Sequence, residues 1–144
     1  MKLVDANVLL YAINRASPWC EDSRTWLTVA LSEGEAVGFP WTTLLAVIRL
    51  ATHRSVFDKP LTATQAMDVV DAWLASPVAV TVEPTVRHAA VLRSLLETVG
   101  TAGHLTADAH LAALAIEHRA DVVAWDRDLA RFGVSVIVPG SRAR

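Results

Sequence analysis

Five short runs of β-forming residues alternate with longer helical stretches along this chain, and that alternation limits its fold more than any other feature. Lys2-Leu3-Val4, Ala36 to Phe39, Val78 to Val82, Asp121 to Ala124 and Val134 to Val138 read as strands. The first ends on the turn signal Asp5-Ala6-Asn7, and Val8 to Ala12 forms a short helical piece. Ser17-Pro18 offers a cap and a first helical residue for a helix reaching about Ser32, with Glu21 and Asp22 favoured by its dipole. Pro40 starts a helix with apolar residues at Leu44, Leu45, Val47, Ile48 and Ala51, followed by a loop around Ser55 to Pro60. Thr62 caps the next helix, which Ser76-Pro77 ends; Pro84 opens another through Val99, and Gly100 to Gly103 breaks it. Leu105 to His118 is a helix dense in alanine, which suits close packing on a sheet. The pattern predicts one domain over residues 1–144, an α/β/α sandwich around a central, mostly parallel five-stranded sheet.

With 144 residues, 53% of them hydrophobic, the chain can bury a real core. No stretch approaches the roughly 18 uninterrupted apolar residues of a membrane span, so no membrane role is expected. Asp5 spoils any reading of the N-terminus as a signal peptide, and the single cysteine, Cys20, fits a reducing cytoplasm. The net charge of −2, from 13 Lys+Arg against 15 Asp+Glu, excludes holding nucleic acid by bulk charge alone. Local arginines or metal ions would have to offset the carboxylates. Trp19, Trp26 and Trp73 lie on helices that also carry charges; packing is the favoured role for each, and a partner surface the other.

In a sheet of this kind, ligands bind at the carboxyl edge of the strands. Asp5 closes the first strand there, and Asp126 and Asp128 follow the fourth. Asp108 lies in the first turn of the alanine-rich helix that feeds the fourth strand, which places it at the same edge. Each aspartate alone has a plainer role, as a turn residue or at a helix N-terminus. Four carboxylates from three segments repel one another unless protons or cations intervene. Hard oxygen donors suit Mg²⁺ or Mn²⁺, and carboxylate-held divalent ions are one route to phosphodiester hydrolysis.

Three motifs carry a resemblance. Val4-Asp5-Ala6-Asn7-Val8-Leu9-Leu10 resembles the opening strand and aspartate of PIN domains, and Thr106-Ala107-Asp108-Ala109-His110-Leu111 the helix bearing their second conserved aspartate. Val122-Val123-Ala124-Trp125-Asp126-Arg127-Asp128-Leu129 resembles their final acidic strand and loop. Order, spacing and length are similar to the short VapC-type toxins of bacterial toxin–antitoxin pairs, across essentially the whole chain. The resemblance implies a PIN-like fold and a magnesium-dependent endoribonuclease, with manganese as a substitute, cutting structured RNA such as tRNA or rRNA. It also implies a VapB-type antitoxin as partner and a homodimer. By position, Asp5, Asp108 and Asp126 would be catalytic metal ligands, Asp128 a further or alternate ligand, and Asn7 a hydrogen-bonding neighbour of Asp5 or a turn residue.

Two positions depart from the family pattern. Ala46 stands where these nucleases usually carry a glutamate, and Ala124 where a serine or threonine is common. Ala46 supports a rival reading, a PIN-like module that binds RNA or protein with little catalysis. A phosphoacceptor role for Asp5, as in receiver or dehalogenase-like domains, fits worse, because Asn7 replaces the second aspartate and Lys2 and Lys59 are badly placed. Arg49, His53 and Arg54 form either an RNA path or a solvated basic helix end. His88, His110 and His118 lack zinc-like spacing, and Cys20 reads as a packing residue.

Overall fold

A computed structural model describes residues 1–141 of the chain. Five strands, β1 (Lys2–Val4), β2 (Val37–Pro40), β3 (Ala79–Val82), β4 (Asp121–Val123) and β5 (Val136–Ile137), form one sheet in the order β3-β2-β1-β4-β5. Every pairing is parallel, so the sheet is wholly parallel where the sequence promised only a mostly parallel one. The connecting helices are α1 (Ala6–Ile13), α2 (Cys20–Ser32), α3 (Trp41–Ala51), α4 (Ala63–Leu74), α5 (His88–Val99) and α6 (Thr106–His118).

The period-two geometry of the strands divides the core into two layers. Val4, Val37, Phe39 and Val123 face α1 to α4 and pack with Leu9, Leu27, Leu44, Val70 and Trp73. Their neighbours Leu3, Val82, Val122 and Ala124 face the other way, onto the alanine-rich α6 and Leu129. Small side chains let α6 lie close to the sheet, and Ala109, Ala112 and Ala113 have no exposed surface. Gly38 in β2 has the same origin: a Cβ there would lie 2.4 Å from Leu3 Cδ2 and 2.8 Å from Val82 Cγ2.

Two helices begin later than their proline signals suggest. At Ser17-Pro18 the chain first makes a turn, with Ser17 Oγ accepting the Trp19 N–H at 3.2 Å, and α2 starts only at Cys20. After Pro84, Thr85 is drawn to Glu117 through its N–H and its hydroxyl, and α5 starts at His88. In both places side-chain hydrogen bonding overrides a local helix preference. Among the described residues, no helix is long and apolar enough to cross a membrane.

Candidate active site

The parallel sheet brings three of the four predicted aspartates together. Asp5 is held at the end of β1 by its own N–H, which donates to the Val123 carbonyl at 2.9 Å. It then caps α1, with Oδ1 accepting the Ala6 N–H at 2.7 Å. Asp126 follows β4 and caps the 3-10 turn Arg127–Phe132, its Oδ1 accepting the Asp128 N–H at 2.8 Å. Its neighbour Trp125 fixes that loop, donating from Nε1 to the buried Ser23 hydroxyl at 2.9 Å. Asp108 lies in the first turn of α6, after the 3-10 turn Gly103–Leu105, where the buried Leu105 anchors the chain.

Burial and mutual repulsion are visible in the acidities. The carboxyl of Asp5 is pushed up to about 6, mainly by burial, with the charges of Asp108 and Asp126 adding to it and the Ala6 N–H opposing. Asp108 is also raised, first by burial and then by Asp126, while Arg131 and His104 pull it back. Desolvated like charges that face one another respond in this way. Asp128 is different. Its side chain is 76% exposed and pairs with Arg131, Nη2 to Oδ2 at 3.4 Å, and it is not among the charges acting on Asp5 or Asp108.

Asp5 and Asp108 line a cleft whose other walls include Thr42, Thr43 and Ala46 of α3 and His104 and His110. Asp126 acts on both aspartates by charge but does not line this cleft. Ala46 therefore stands on the site side of α3, as its alignment to the family glutamate requires. Thr42, Thr43, His104 and Arg131 went unnoticed in the sequence. The threonines had a usable signal, since a helix that starts directly after a strand has its first turn at the carboxyl edge. Of the residues read as either an RNA path or a solvated basic helix end, Arg49 is exposed near the end of α3, and His53 and Arg54 are exposed just after it, with His53 Nδ1 engaged by Ser55. Cys20 is buried with Sγ 3.7 Å from the Ala12 carbonyl, in a packing role. Trp73 stacks on Phe39 in the core, whereas Trp19 is 44% exposed and leans on Tyr11 and Trp125.

Among the described residues, no three His, Cys, Asp or Glu side chains are gathered tightly enough to enclose an ion by themselves. Mg²⁺, however, usually keeps several waters and takes only one or two carboxylates directly. Asp5 Oδ2, Asp126 Oδ2 and both Asp108 carboxyl oxygens accept no hydrogen bond from other described residues. Hard oxygens without protein partners, buried and facing like charges so that two of the carboxyls hold their protons more tightly, are the chemistry such an ion relieves. The residues fit a water-bridged Mg²⁺ or Mn²⁺.

Fold and site together describe a parallel α/β protein with a carboxylate cluster at the carboxyl edge of its sheet. The family model described as "PIN domain" matches residues 2–134, and the chain belongs to the PIN-domain family and, within it, to the VapC group. It is 54% identical over 132 residues to Ribonuclease VapC37 of Mycobacterium tuberculosis, covering 92% of each chain. Ribonuclease VapC43 of the same species is 39% identical over 92% of this chain and 90% of its own. Among solved structures, VapBC2 from Rickettsia felis bound to a promoter DNA fragment matches with a TM-score of 0.71 at 16% identity, covering 96% and 98% of the two chains. Mycobacterium tuberculosis VapC20, described as a Sarcin-Ricin loop cleaving toxin, matches at 0.66 and 16% identity, over 96% and 100%.

Proposed function

We propose that this protein is a divalent-metal-dependent endoribonuclease, the toxin of a toxin–antitoxin pair, with Asp5, Asp108 and Asp126 as its catalytic metal-holding residues. The observation that carries the reading is the facing of three aspartates from three separate segments, in a chain that is 54% identical to a named ribonuclease.

Asp5, Asp108 and Asp126 would hold the ion, directly or through water. When bound, Mg²⁺ or Mn²⁺ supplies an acidified water and positive charge for the phosphate oxygens. The remaining chemistry belongs to the chain. Above about pH 6 Asp5 ionises, so near neutral pH the cluster has the charge needed to bind a cation. Oδ1 of Asp5 and of Asp126 are fixed by backbone N–H groups, which aim the other oxygen of each carboxylate away from its own turn. Arg131, one of the groups that pull Asp108 down, is the local cation that meets the RNA phosphates. This local pairing lets a chain of net charge −2 handle a polyanion.

A VapB-type antitoxin is the proposed partner and a homodimer the proposed assembly. Support for the antitoxin comes from the likeness of fold to the VapBC2 structure, while the homodimer rests on the family resemblance. An RNA substrate of this kind would be met in the cytoplasm. Ala46 on the cleft wall favours, as second reading, a module that binds RNA and cuts it slowly.

The test is incubation of the purified protein with total RNA in Mg²⁺ or Mn²⁺ and then with chelator, beside Asp5→Asn. Cleavage confined to the metal-loaded wild type supports the proposal. Equal cleavage with chelator would remove the metal, and no cleavage of any RNA would leave the binding module.

A further inference from the structure

We propose that Trp19 is a stacking platform for an unpaired nucleobase of the bound RNA, set on the Asp126 side of the carboxylates and backed by Tyr11 and Trp125. The choice of RNA as ligand rests on the ribonuclease reading above. The platform itself rests on a cluster of aromatic rings that the metal chemistry leaves unused.

The rings come from three segments: Tyr11 from α1, Trp19 from the turn before α2, and Trp125 from the loop after β4. Their centroids are 5.0 Å apart for Tyr11 and Trp19, 5.9 Å for Trp19 and Trp125, and 6.5 Å for Tyr11 and Trp125. In such a triangle both partners stand on one side of Trp19. Trp125 packs against the core, but Trp19 belongs to neither core layer and keeps 44% of its surface in solvent. What remains uncovered is a flat apolar face.

That face is fixed before anything binds. The Trp19 N–H donates to Ser17 Oγ at 3.2 Å, and the Trp19 carbonyl accepts the Ser23 N–H at 3.1 Å. The buried hydroxyl of the same Ser23 accepts from Trp125 Nε1 at 2.9 Å, and the Trp125 N–H donates to Asn7 Oδ1 at 3.3 Å. One chain of hydrogen bonds thus joins the backbone beneath Trp19 to the loop of Asp126 and to the first turn of α1, just after Asp5. A ring already held in place binds without the ordering cost that a mobile side chain pays.

Position and charge name the occupant. Trp125, on which Trp19 leans, directly precedes Asp126, and none of the three rings lines the cleft of Asp5 and Asp108. A strand laid across the carboxylates therefore has the cleft on one side and the platform on the other. Arg127 is exposed beside Asp126, and the exposed Arg15 and Arg24 border a groove that opens at Ser17 and Cys20, on either side of Trp19 in the chain, with Glu21 as the opposing charge. Among the described residues, none of these three arginines forms an ion pair. A polyanion carrying flat apolar bases matches the ring and the arginines at once, as single-stranded nucleic acid does in other grooves. Inside a duplex the faces of a base are covered by its neighbours, so the base that stacks here is unpaired, in a loop or at an end.

The experiment reads the contact in two ways. In the first, tryptophan emission is followed as polyuridylate is added in Mg²⁺, in the Asp5→Asn background so that the RNA stays whole. Emission should fall on binding. Trp19→Leu should remove most of that fall and weaken binding about tenfold, the scale of one stacked base. Trp19→Tyr, which keeps a flat ring, should recover part of the affinity and covers the case of a leucine variant that fails to fold. In the second, a short RNA spanning the mapped cut carries single abasic replacements around it. One replacement should raise the KM of the otherwise native protein about tenfold with kcat nearly unchanged. Trp19→Leu should show the same rise on the intact RNA and no further rise on that abasic RNA. A folded Trp19→Leu that binds polyuridylate as its parent does, or abasic penalties equal in both proteins at every position, would overturn the proposal. Loss of antitoxin binding with RNA binding intact would assign the ring to a protein partner and overturn it too. Quenching that depends on Trp19 in a protein that cuts no RNA would uphold the platform and overturn the ribonuclease reading, and cleavage without such quenching would do the reverse.

Discussion

Asn7 Oδ1 accepts the backbone N–H of Trp125 at 3.3 Å, tying the first turn of α1 to the loop that carries Asp126. Asp5 is two residues before one partner and Asp126 directly follows the other, so this bond sets the spacing of two carboxylates that are far apart in sequence. Asn7→Ala should cost about 1 kcal/mol in denaturant unfolding, the ordinary worth of one hydrogen bond. The loss in RNA cleavage should be larger, about tenfold or more, because small displacements of a catalytic group are expensive. A fall in stability with unchanged cleavage would mean the bond serves the fold alone.

The acidity of Asp5 predicts a pH dependence of stability. Its carboxyl stands near 6 in the native protein against 3.8 unfolded, so between those values the native state binds more protons. Stability is then present at low pH and falls as pH rises through that window, by at most about 3 kcal/mol. Asp5→Asn, measured without metal, should remove this fall and melt higher than wild type at neutral pH. Asp108, Asp126, His104 and Arg131 face the same cluster, so the Asp5 contribution is read as the difference between wild type and mutant across pH. A difference that stays flat from pH 4 to pH 7 would contradict the repulsion.

Millimolar Mg²⁺ or Mn²⁺, binding only the folded state, should raise the melting temperature of wild type by mass action. Asp5→Asn and Asp108→Asn should shrink that rise. An equal rise in all three proteins would place the ion elsewhere.

Ala46 offers the reverse experiment. The residue lines the cleft with Asp5 and Asp108, so Ala46→Glu would add an anionic oxygen donor to the cluster. More charged ligands bind a divalent ion more tightly, and calorimetry should show tighter Mg²⁺ or Mn²⁺ binding with cleavage at lower metal concentration. A folded variant that binds no better would mean the new carboxylate does not reach the ion.

Gly38 tests the packing beneath the site. A methyl group there meets Leu3 Cδ2 at 2.4 Å and Val82 Cγ2 at 2.8 Å, both in the core. Gly38→Ala should destabilise the protein by about 1–3 kcal/mol, the usual cost of overpacking. Unchanged stability would show that Leu3 has room to move aside.

Much of this was legible in the residues themselves. The run Lys2-Leu3-Val4 is β1 to the residue, and Asp121 opens β4 as predicted, because apolar runs bounded by turn residues have few other outcomes. The placing of Asp5, Asp108 and Asp126 near one another was readable because strand ends and helix starts in a parallel sheet share an edge. Asp128 shares the edge by sequence as a further or alternate ligand, yet the 3-10 turn sends it outward to Arg131. The helix starts at Cys20 and His88 were missed because Ser17 and Thr85 take partners that local preference does not contain. A hydrogen-bonded row from Glu117 through His88 to His110 was out of reach for a related reason: it joins α5 to α6, and no spacing within either helix announces it.

As proposed, Asp5, Asp108 and Asp126 act as one metal-dependent unit from which Asp128 stands apart. The most direct measurement is single-turnover cleavage of one defined RNA in Mg²⁺ by the four single Asp→Asn variants, each checked for folding. Asp5→Asn, Asp108→Asn and Asp126→Asn should each lose about a hundredfold or more, beyond the usual cost of disturbing only a neighbour of a metal ligand. Asp128→Asn should stay within about threefold of wild type, as expected for an exposed carboxylate paired with Arg131. Near-normal cleavage by any of the first three, or a loss in Asp128→Asn as deep as theirs, would contradict the account.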